Sequence, residues 1–144
     1  RAAGLRIWVT SRSEAKREQA LRLGAHAAFE SGARLPERVD GVLETVGKAT
    51  WDHSLKSTRN QGTVVVAGMT SGDAPGGLPH LFFRQLNIIG STMGTRAELQ
   101  RLVTFMATTG VKPLVDHTVP LADAVEAYRA MAEGDLFGKI VLTT

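Results

Sequence analysis

The sequence has 144 residues, 43% apolar and 22% charged, with 17 Lys and Arg against 14 Asp and Glu for a net charge of +3. That is enough chain for one domain with a buried core, and the positive excess is too small and too scattered to mark a nucleic-acid binder. No cysteine is present, which excludes disulfides, thiolate zinc sites and thiol nucleophiles within these residues and fits a reducing, cytoplasmic setting, and no apolar run is long enough to cross a membrane.

The first residue is Arg1, and "RAAG" reads as the last turn of a helix, so an upstream part of the chain is expected. "LRIWVT" (5–10) is apolar and β-branched after Gly4 and reads as a buried strand. Ser13 offers an N-cap for a helix from Glu14 to about Leu23, closed by Gly24. "HAAFES" (26–31) is a short strand candidate. "VDGVLETV" (39–46) is a second strand, followed by Gly47. A short helix from about Thr50 to Thr58 places Trp51 and Leu55 on one face. "TVVVAG" (63–68) is a continuous apolar run, the pattern of a parallel strand covered on both faces.

A Gly- and Pro-rich loop occupies 71–79, "HLFFRQL" (80–86) reads as helix, and "NIIGS" (87–91) as strand. Thr95 and Glu98 form a T-x-x-E capping box ahead of Leu99, Leu102, Val103 and Met106, an amphipathic helix that ends at Gly110. A last helix runs from about Asp123 to Glu133 with Gly134 after it, and "GKIVLTT" closes as a strand. Strands alternating with helices at this spacing predict an α/β fold with a parallel sheet, the whole of 1–144 forming one domain.

Ligands of open parallel sheets bind beyond the carboxyl ends of the strands. Here those ends read "TSRSEAK", "TVG", "GMTSG" and "GSTMGT", all rich in small residues that let a backbone approach a ligand. Ser11 stands where dinucleotide-binding folds carry the acid that holds the ribose 2′-OH of NAD, with Arg12 and Lys16 beside it. Hydroxyls and cations suit a 2′-phosphate, which favours NADPH; the alternative is an N-capped surface helix with incidental basic residues. No G-x-G-x-x-G loop and no G-x-S-x-G elbow occurs. His26, His53, His80 and His117 share no metal spacing, and read as separate surface or strand-end residues. Asp40 and Glu44 share a strand face and form a weak candidate for a carboxylate pair.

The segments "GLRIWVTSRSEAKREQALRLGA" (4–25), "DGVLETVG" (40–47), "GTVVVAGMTSG" (62–72), "NIIGSTMGT" (87–95) and "FGKIVL" (137–142) together resemble the C-terminal half of a medium-chain dehydrogenase/reductase, in its quinone-oxidoreductase and zinc-type alcohol dehydrogenase branches. The resemblance implies a Rossmann-type open parallel sheet with helices on both faces, lacking its first strand and glycine-rich loop, with the catalytic domain outside these residues. It implies NADP(H) as cofactor. Ser11 matches the NAD-selecting acid position, and its replacement, with Arg12 and Lys16, resembles NADPH-using members. Thr45, Val46 and Gly47 match the turn beside the adenosine ribose. Gly68, Met69 and Thr70 match the turn that holds the nicotinamide ribose and amide. Gly90, Ser91, Thr92, Met93 and Gly94 match the turn beside the nicotinamide, and Lys139 a basic residue that reaches the pyrophosphate. Zinc is left open, because the family's ligands come mainly from the other domain.

In strand order 3-2-1-4-5-6 the first strand lies in the middle. Without it, the flanking strands pair directly, leave a gap for a segment outside this sequence, or take a strand from a neighbouring chain. The resemblance also implies a homodimer through the edge strand at Ile88 and Ile89, a small-molecule substrate, and no nucleic-acid or membrane partner. The expected function is the coenzyme-binding part of an NADPH-dependent oxidoreductase acting on a quinone, enone or carbonyl/alcohol, inactive by itself. The competing reading is a non-catalytic nucleotide-binding or structural module on the same fold. A Rossmann-like methyltransferase would want an acidic ribose ligand where Ser11 stands.

Overall fold

The computed structural model describes residues 1–134 and 136–144. They form two compact units, one of Ala3–Gly94 with Arg1 and one of Thr95–Thr144 with Ala2.

In the first unit, β1 (Trp8–Thr10), α1 (Glu14–Arg22) and β2 (Ala27–Phe29) make a parallel βαβ unit in which Trp8 pairs with Ala27 and Thr10 with Phe29. Ser13 caps α1 as expected, its Oγ accepting from the Lys16 N–H at 3.3 Å. Ala20 of α1 is buried, and the Trp8 and Phe29 rings meet edge to face at 5.3 Å. Arg6 lays its guanidinium over Trp8 and pairs with Glu37 at 2.6 Å.

The rest of the unit is a three-stranded parallel sheet in the order β3 (Val39–Glu44), β4 (Thr58–Val66), β5 (Asn87–Gly90). The crossovers are α2 (Trp51–Ser57) and α3 (Leu78–Arg84). Val42–Glu44 pair with Val64–Val66, and Val64–Val66 with Ile88–Gly90, so the carboxyl ends of the three strands finish side by side. The core sits where α2 meets this sheet: Leu55 is 1% exposed, and Val64 and Thr58 are fully buried. Arg84 locks the end of α3 to the α2–β4 junction, donating to the carbonyls of Leu55 (2.8 Å) and Thr58 and to Asn60 Oδ1 (3.3 Å).

The β4 strand starts at Thr58, five residues before the apolar run at Thr63. Val39 pairs with Thr58 and Gly41 with Thr63, so the extra residues bulge, with Gln61 at φ +60°. Gly62 fits there because a Cβ would lie 2.5 Å from the Thr58 methyl and 2.9 Å from the Asp40 carbonyl oxygen.

Strands β1 and β3 are not hydrogen-bonded to each other; the β1–β2 and β3–β4–β5 pairings are separate. The flanking strands therefore do not close by direct pairing. Read in the Rossmann order, β2–β1 and β3–β4–β5 correspond to positions 3-2 and 4-5-6, and no strand among the described residues takes position 1.

In the second unit, α4 (Arg96–Thr109) carries the expected capping box: Thr95 Oγ1 accepts from the Glu98 N–H at 3.2 Å, and a Glu98 oxygen accepts from the Thr95 N–H at 2.6 Å. Gly110 ends it at φ +71°. One strand was not expected, β6 (Val115–Pro120), which pairs in parallel with β7 (Lys139–Thr143). A short 3-10 turn (Leu121–Asp123) and α5 (Ala124–Glu133) connect them, with Ala127 of α5 buried. Its sequence, VDHTVP, mixes charge with a closing proline and lacks the apolar run that marks β4. No helix among the described residues is long and apolar enough to cross a membrane.

Candidate functional site

The parallel register brings two glycine-containing turns together beyond β3 and β4, and starts a third beyond β5. The Ala67 N–H donates to the Glu44 carbonyl at 2.8 Å and the Ser91 N–H to the Val66 carbonyl at 2.9 Å, carrying the ladder one step past each strand. Thr45–Gly47 and Gly68–Thr70 then lie in direct contact. A Cβ on Gly68 would sit 2.8 Å from the Thr45 carbonyl oxygen, and one on Gly47 2.6 Å from the Gly72 carbonyl oxygen. Thr45, Met69 and Thr70 are exposed, Val46 is half-buried and Gly47 is buried.

Two residues that the sequence reading did not place in the site hold these turns. Glu44, the last residue of β3, is 2% exposed. Its Oε1 accepts from the N–H groups of Val46 (2.8 Å) and Gly47 (3.0 Å) and from Thr50 Oγ1 (2.8 Å), and its Oε2 accepts from Ser54 Oγ. Burial pushes this carboxyl up, but the Ser54, Gly47, Val46 and Thr50 donors outweigh it and hold the group below the ordinary carboxylate range. Asp40 is exposed and pairs with Arg59 at 2.6 Å. The two carboxylates are therefore not a catalytic pair: one is a solvent ion pair and the other an internal anchor.

The second residue is Ser71, which lies in the loop after β4. Its N–H (2.7 Å) and Oγ (2.6 Å) both donate to the Val46 carbonyl, and its Oγ accepts from the Ala49 N–H at 2.9 Å. With Lys48 N–H to Gly72 O at 3.0 Å, Ser71 fastens the 68–72 loop to the 45–47 turn. In the sequence Glu44 stood out only as a weak carboxylate partner of Asp40, and Ser71 only as part of the Gly-containing segment after β4.

Beyond β1, the Ser11 N–H donates to Phe29 O at 3.1 Å, and Ser11 Oγ accepts from the Ser13 N–H at 3.3 Å. Arg17, also missed, reaches back from α1 to the carbonyls of Ser11 (2.7 Å) and Arg12 (3.2 Å) and so fixes the turn from behind. The guanidinium of Arg12 is exposed and has no hydrogen-bond or ion-pair partner among the described residues. Lys16 is half-buried in the first turn of α1.

Gly90 closes β5, and Ser91, Thr92, Met93 and Gly94 are exposed. Met93 sits at φ +51° with its side chain 99% exposed. The Thr95 amide beyond it is already taken by Glu98 and the Ser91 amide by the Val66 carbonyl, so neither is available to an anion. Lys139 opens β7 in the second unit, its N–H donating to Leu114 O at 2.9 Å.

The four histidines stay apart. His26 Nδ1 accepts from the Ile7 N–H at 3.0 Å, His53 Nε2 lies 2.8 Å from Ala33 O, His80 Nε2 4.0 Å from Asp52, and His117 Nδ1 2.8 Å from Asp116. No group of three His, Asp or Glu among the described residues can hold a metal ion, so a zinc ligand set is not found here.

Comparison with known proteins agrees with this architecture. Residues 1–108 match the family model described as zinc-binding dehydrogenase. An alcohol dehydrogenase of Geobacillus stearothermophilus is 30% identical over 99% of this chain and 44% of its own length. An acryloyl-coenzyme A reductase of Metallosphaera sedula is 28% identical over all of this chain and 45% of its own length. Among solved structures, an NAD-dependent alcohol dehydrogenase superposes with a TM-score of 0.85 at 32% identity, over 98% of this chain and 44% of that protein. The thermostable alcohol dehydrogenase of Pyrobaculum aerophilum does so with 0.85 at 29% identity, over 98% and 43%. The chain thus spans less than half the length of these relatives, and it is their Rossmann-type C-terminal half that it matches. The chain belongs to the zinc-binding dehydrogenase family, within the medium-chain dehydrogenase/reductase superfamily.

Proposed function

We propose that this chain is the coenzyme-binding part of an NADPH-dependent oxidoreductase. The observation that carries the reading is the layout of the first unit. The turns at Thr45–Gly47 and Gly68–Thr70 are fastened together beyond the sheet, and Gly90–Gly94 follows the adjoining strand. The turn after β1 carries a hydroxyl and an unpaired guanidinium in place of a carboxylate. A dinucleotide lies along the carboxyl edge of such a sheet. Arg12 can fork onto the oxygens of a 2′-phosphate, Lys16 adds charge and Ser11 a hydroxyl, while a carboxylate there would repel it. When bound, the nicotinamide supplies the hydride chemistry. The chain's own part is to seat the adenosine ribose near Thr45–Gly47 and the nicotinamide end near Gly68–Thr70 and Gly90–Gly94, all in the first unit.

The relatives suit hydride transfer to more than one acceptor: one is an alcohol dehydrogenase and another an acryloyl-coenzyme A reductase. The substrate class is accordingly a carbonyl/alcohol pair or an enone, with a quinone as the remaining member of the expected set. Among the described residues no acid or base is arranged for that chemistry, so these 144 residues alone are inactive. Among the described residues strand β5 pairs with β4 alone, leaving an outer edge at half-exposed Ile88 and Ile89 through which two copies form a homodimer. The setting is cytoplasmic.

Fluorescence titration of the full chain with NADPH and NADH tests the cofactor. NADPH binds more tightly, and Arg12→Glu weakens NADPH at least tenfold while leaving NADH within about threefold, as the loss of one charge-assisted phosphate contact requires. Equal or tighter NADH binding by the unaltered protein sinks the reading of Ser11, Arg12 and Lys16. A monomeric mass at high micromolar concentration sinks the dimer.

A further inference from the structure

We infer that Glu44 is a positioning residue for dinucleotide binding: its buried carboxylate sets the Thr45–Gly47 turn by taking both of that turn's inward-facing amides. The inference rests on the cofactor reading above and adds to it how the turn is held.

Glu44 is buried at the end of β3 with no cationic partner among the described residues, a costly way to fill space unless every lone-pair direction is used. Its oxygens meet four donors, two from the turn and two from the hydroxyls of Thr50 and Ser54 at the start of α2. A carboxylate of this length accepts all four and presents no donor of its own. The Val46–Gly47 peptide group, whose N–H Glu44 takes, is gripped at its other end by Ser71, which donates twice to the Val46 carbonyl. The Val46 and Gly47 amides and the Val46 carbonyl are thereby spent inside the protein. The Gly47 carbonyl likewise accepts from the N–H groups of Thr50 and Trp51 at 2.9 Å. The Thr45–Gly47 turn is not an anion cradle. It meets a ligand with the exposed Thr45 and the half-buried Val46, held rigid by Glu44 beneath and Ser71 beside.

The test uses the full chain with three substitutions: Glu44→Ala, Glu44→Gln and, as a control, Asp40→Asn on the same strand. Two readouts are taken, the dissociation constants for NADPH and NADH and the amide hydrogen exchange of Val46 and Gly47. Glu44→Ala weakens both cofactors by about tenfold, because the 2′-phosphate is read elsewhere. It also speeds exchange of the two amides at least 100-fold, with the Val64–Val66 amides unchanged. Glu44→Gln keeps an oxygen for the turn amides and recovers binding to within about threefold, and Asp40→Asn matches the unaltered protein. Unchanged Val46 and Gly47 exchange in Glu44→Ala overturns the inference, as does wild-type cofactor binding in a Glu44→Ala protein whose two amides are freed. Equal loss of binding in both Glu44 variants, tracking a general rise in exchange across β4, also overturns it by showing a role in overall stability only. If the unaltered protein binds neither cofactor, the cofactor reading and the ligand part of this inference both fall. The exchange data then still decide whether Glu44 sets the turn.

Discussion

Replacing Gly47 by alanine separates two costs that the site geometry imposes. Gly47 sits at φ +89°, where an L-residue pays about 1–2 kcal/mol. Its new Cβ would lie 2.6 Å from the Gly72 carbonyl oxygen and 3.0 Å from Met69 Cα, both backbone atoms. Relief means moving the 68–72 loop away. That breaks the Lys48–Gly72 bond and strains the Ser71–Val46 pair, at about 0.5–1.5 kcal/mol for each bond lost. The sum is about 2–4 kcal/mol. Gly72 supplies the comparison: it has φ +99°, but a Cβ there meets nothing within 4 Å, so Gly72→Ala costs only the conformational part, about 1–2 kcal/mol. Equilibrium urea unfolding reads the difference through Trp8 and Trp51, the chain's two tryptophans, both in the first unit. At about 1.5 kcal/mol per M, Gly47→Ala lowers the midpoint by about 2 M and Gly72→Ala by about half that. Equal shifts for the two variants refute the close contact between the turns, and no shift for either refutes the backbone conformation as well.

Acid dependence follows from Glu44. Its folded carboxyl titrates below the ordinary value of 4.5, so on acidification the unfolded chain takes up the proton first. The stabilisation is therefore complete above that ordinary value and disappears as pH falls through the folded one. Urea midpoints of the unaltered protein and Glu44→Gln should differ above about pH 5 and converge as pH falls through the lowered folded value; a gap independent of pH would contradict the hydrogen-bonded, ionised carboxylate. In the second unit, Thr95→Ala removes the N-cap acceptor of α4 and should cost about 1 kcal/mol, with Thr95→Ser restoring most of it. Helix content by circular dichroism across a urea series checks this, and equal stability of the alanine and serine variants counts against the cap.

The sequence alone determined those features whose physics is local. Ser13 before the polar helix α1, the Thr95–Glu98 box, and Gly110 and Gly134 after their helices satisfy backbone groups within one turn, so their meaning is carried by residues a few positions apart. The apolar runs at 39–46 and 63–68 marked parallel strands for the same reason, and with them the strand ends where the site was sought. Tertiary structure decided everything that depends on partners distant in sequence. Strand β6 exists because β7, some twenty residues on, supplies its hydrogen bonds. The early start of β4 follows from Val39 reaching Thr58 across a bulge. Ser71 looked like an ordinary loop residue until the register put it against Val46, 25 positions earlier. Glu44 looked like half of a carboxylate pair with Asp40 because strand periodicity gives both one face. Asp40 lies where Arg59 and water reach it, while Glu44 lies at the strand end beneath its own turn, and burial among four donors made it an anchor.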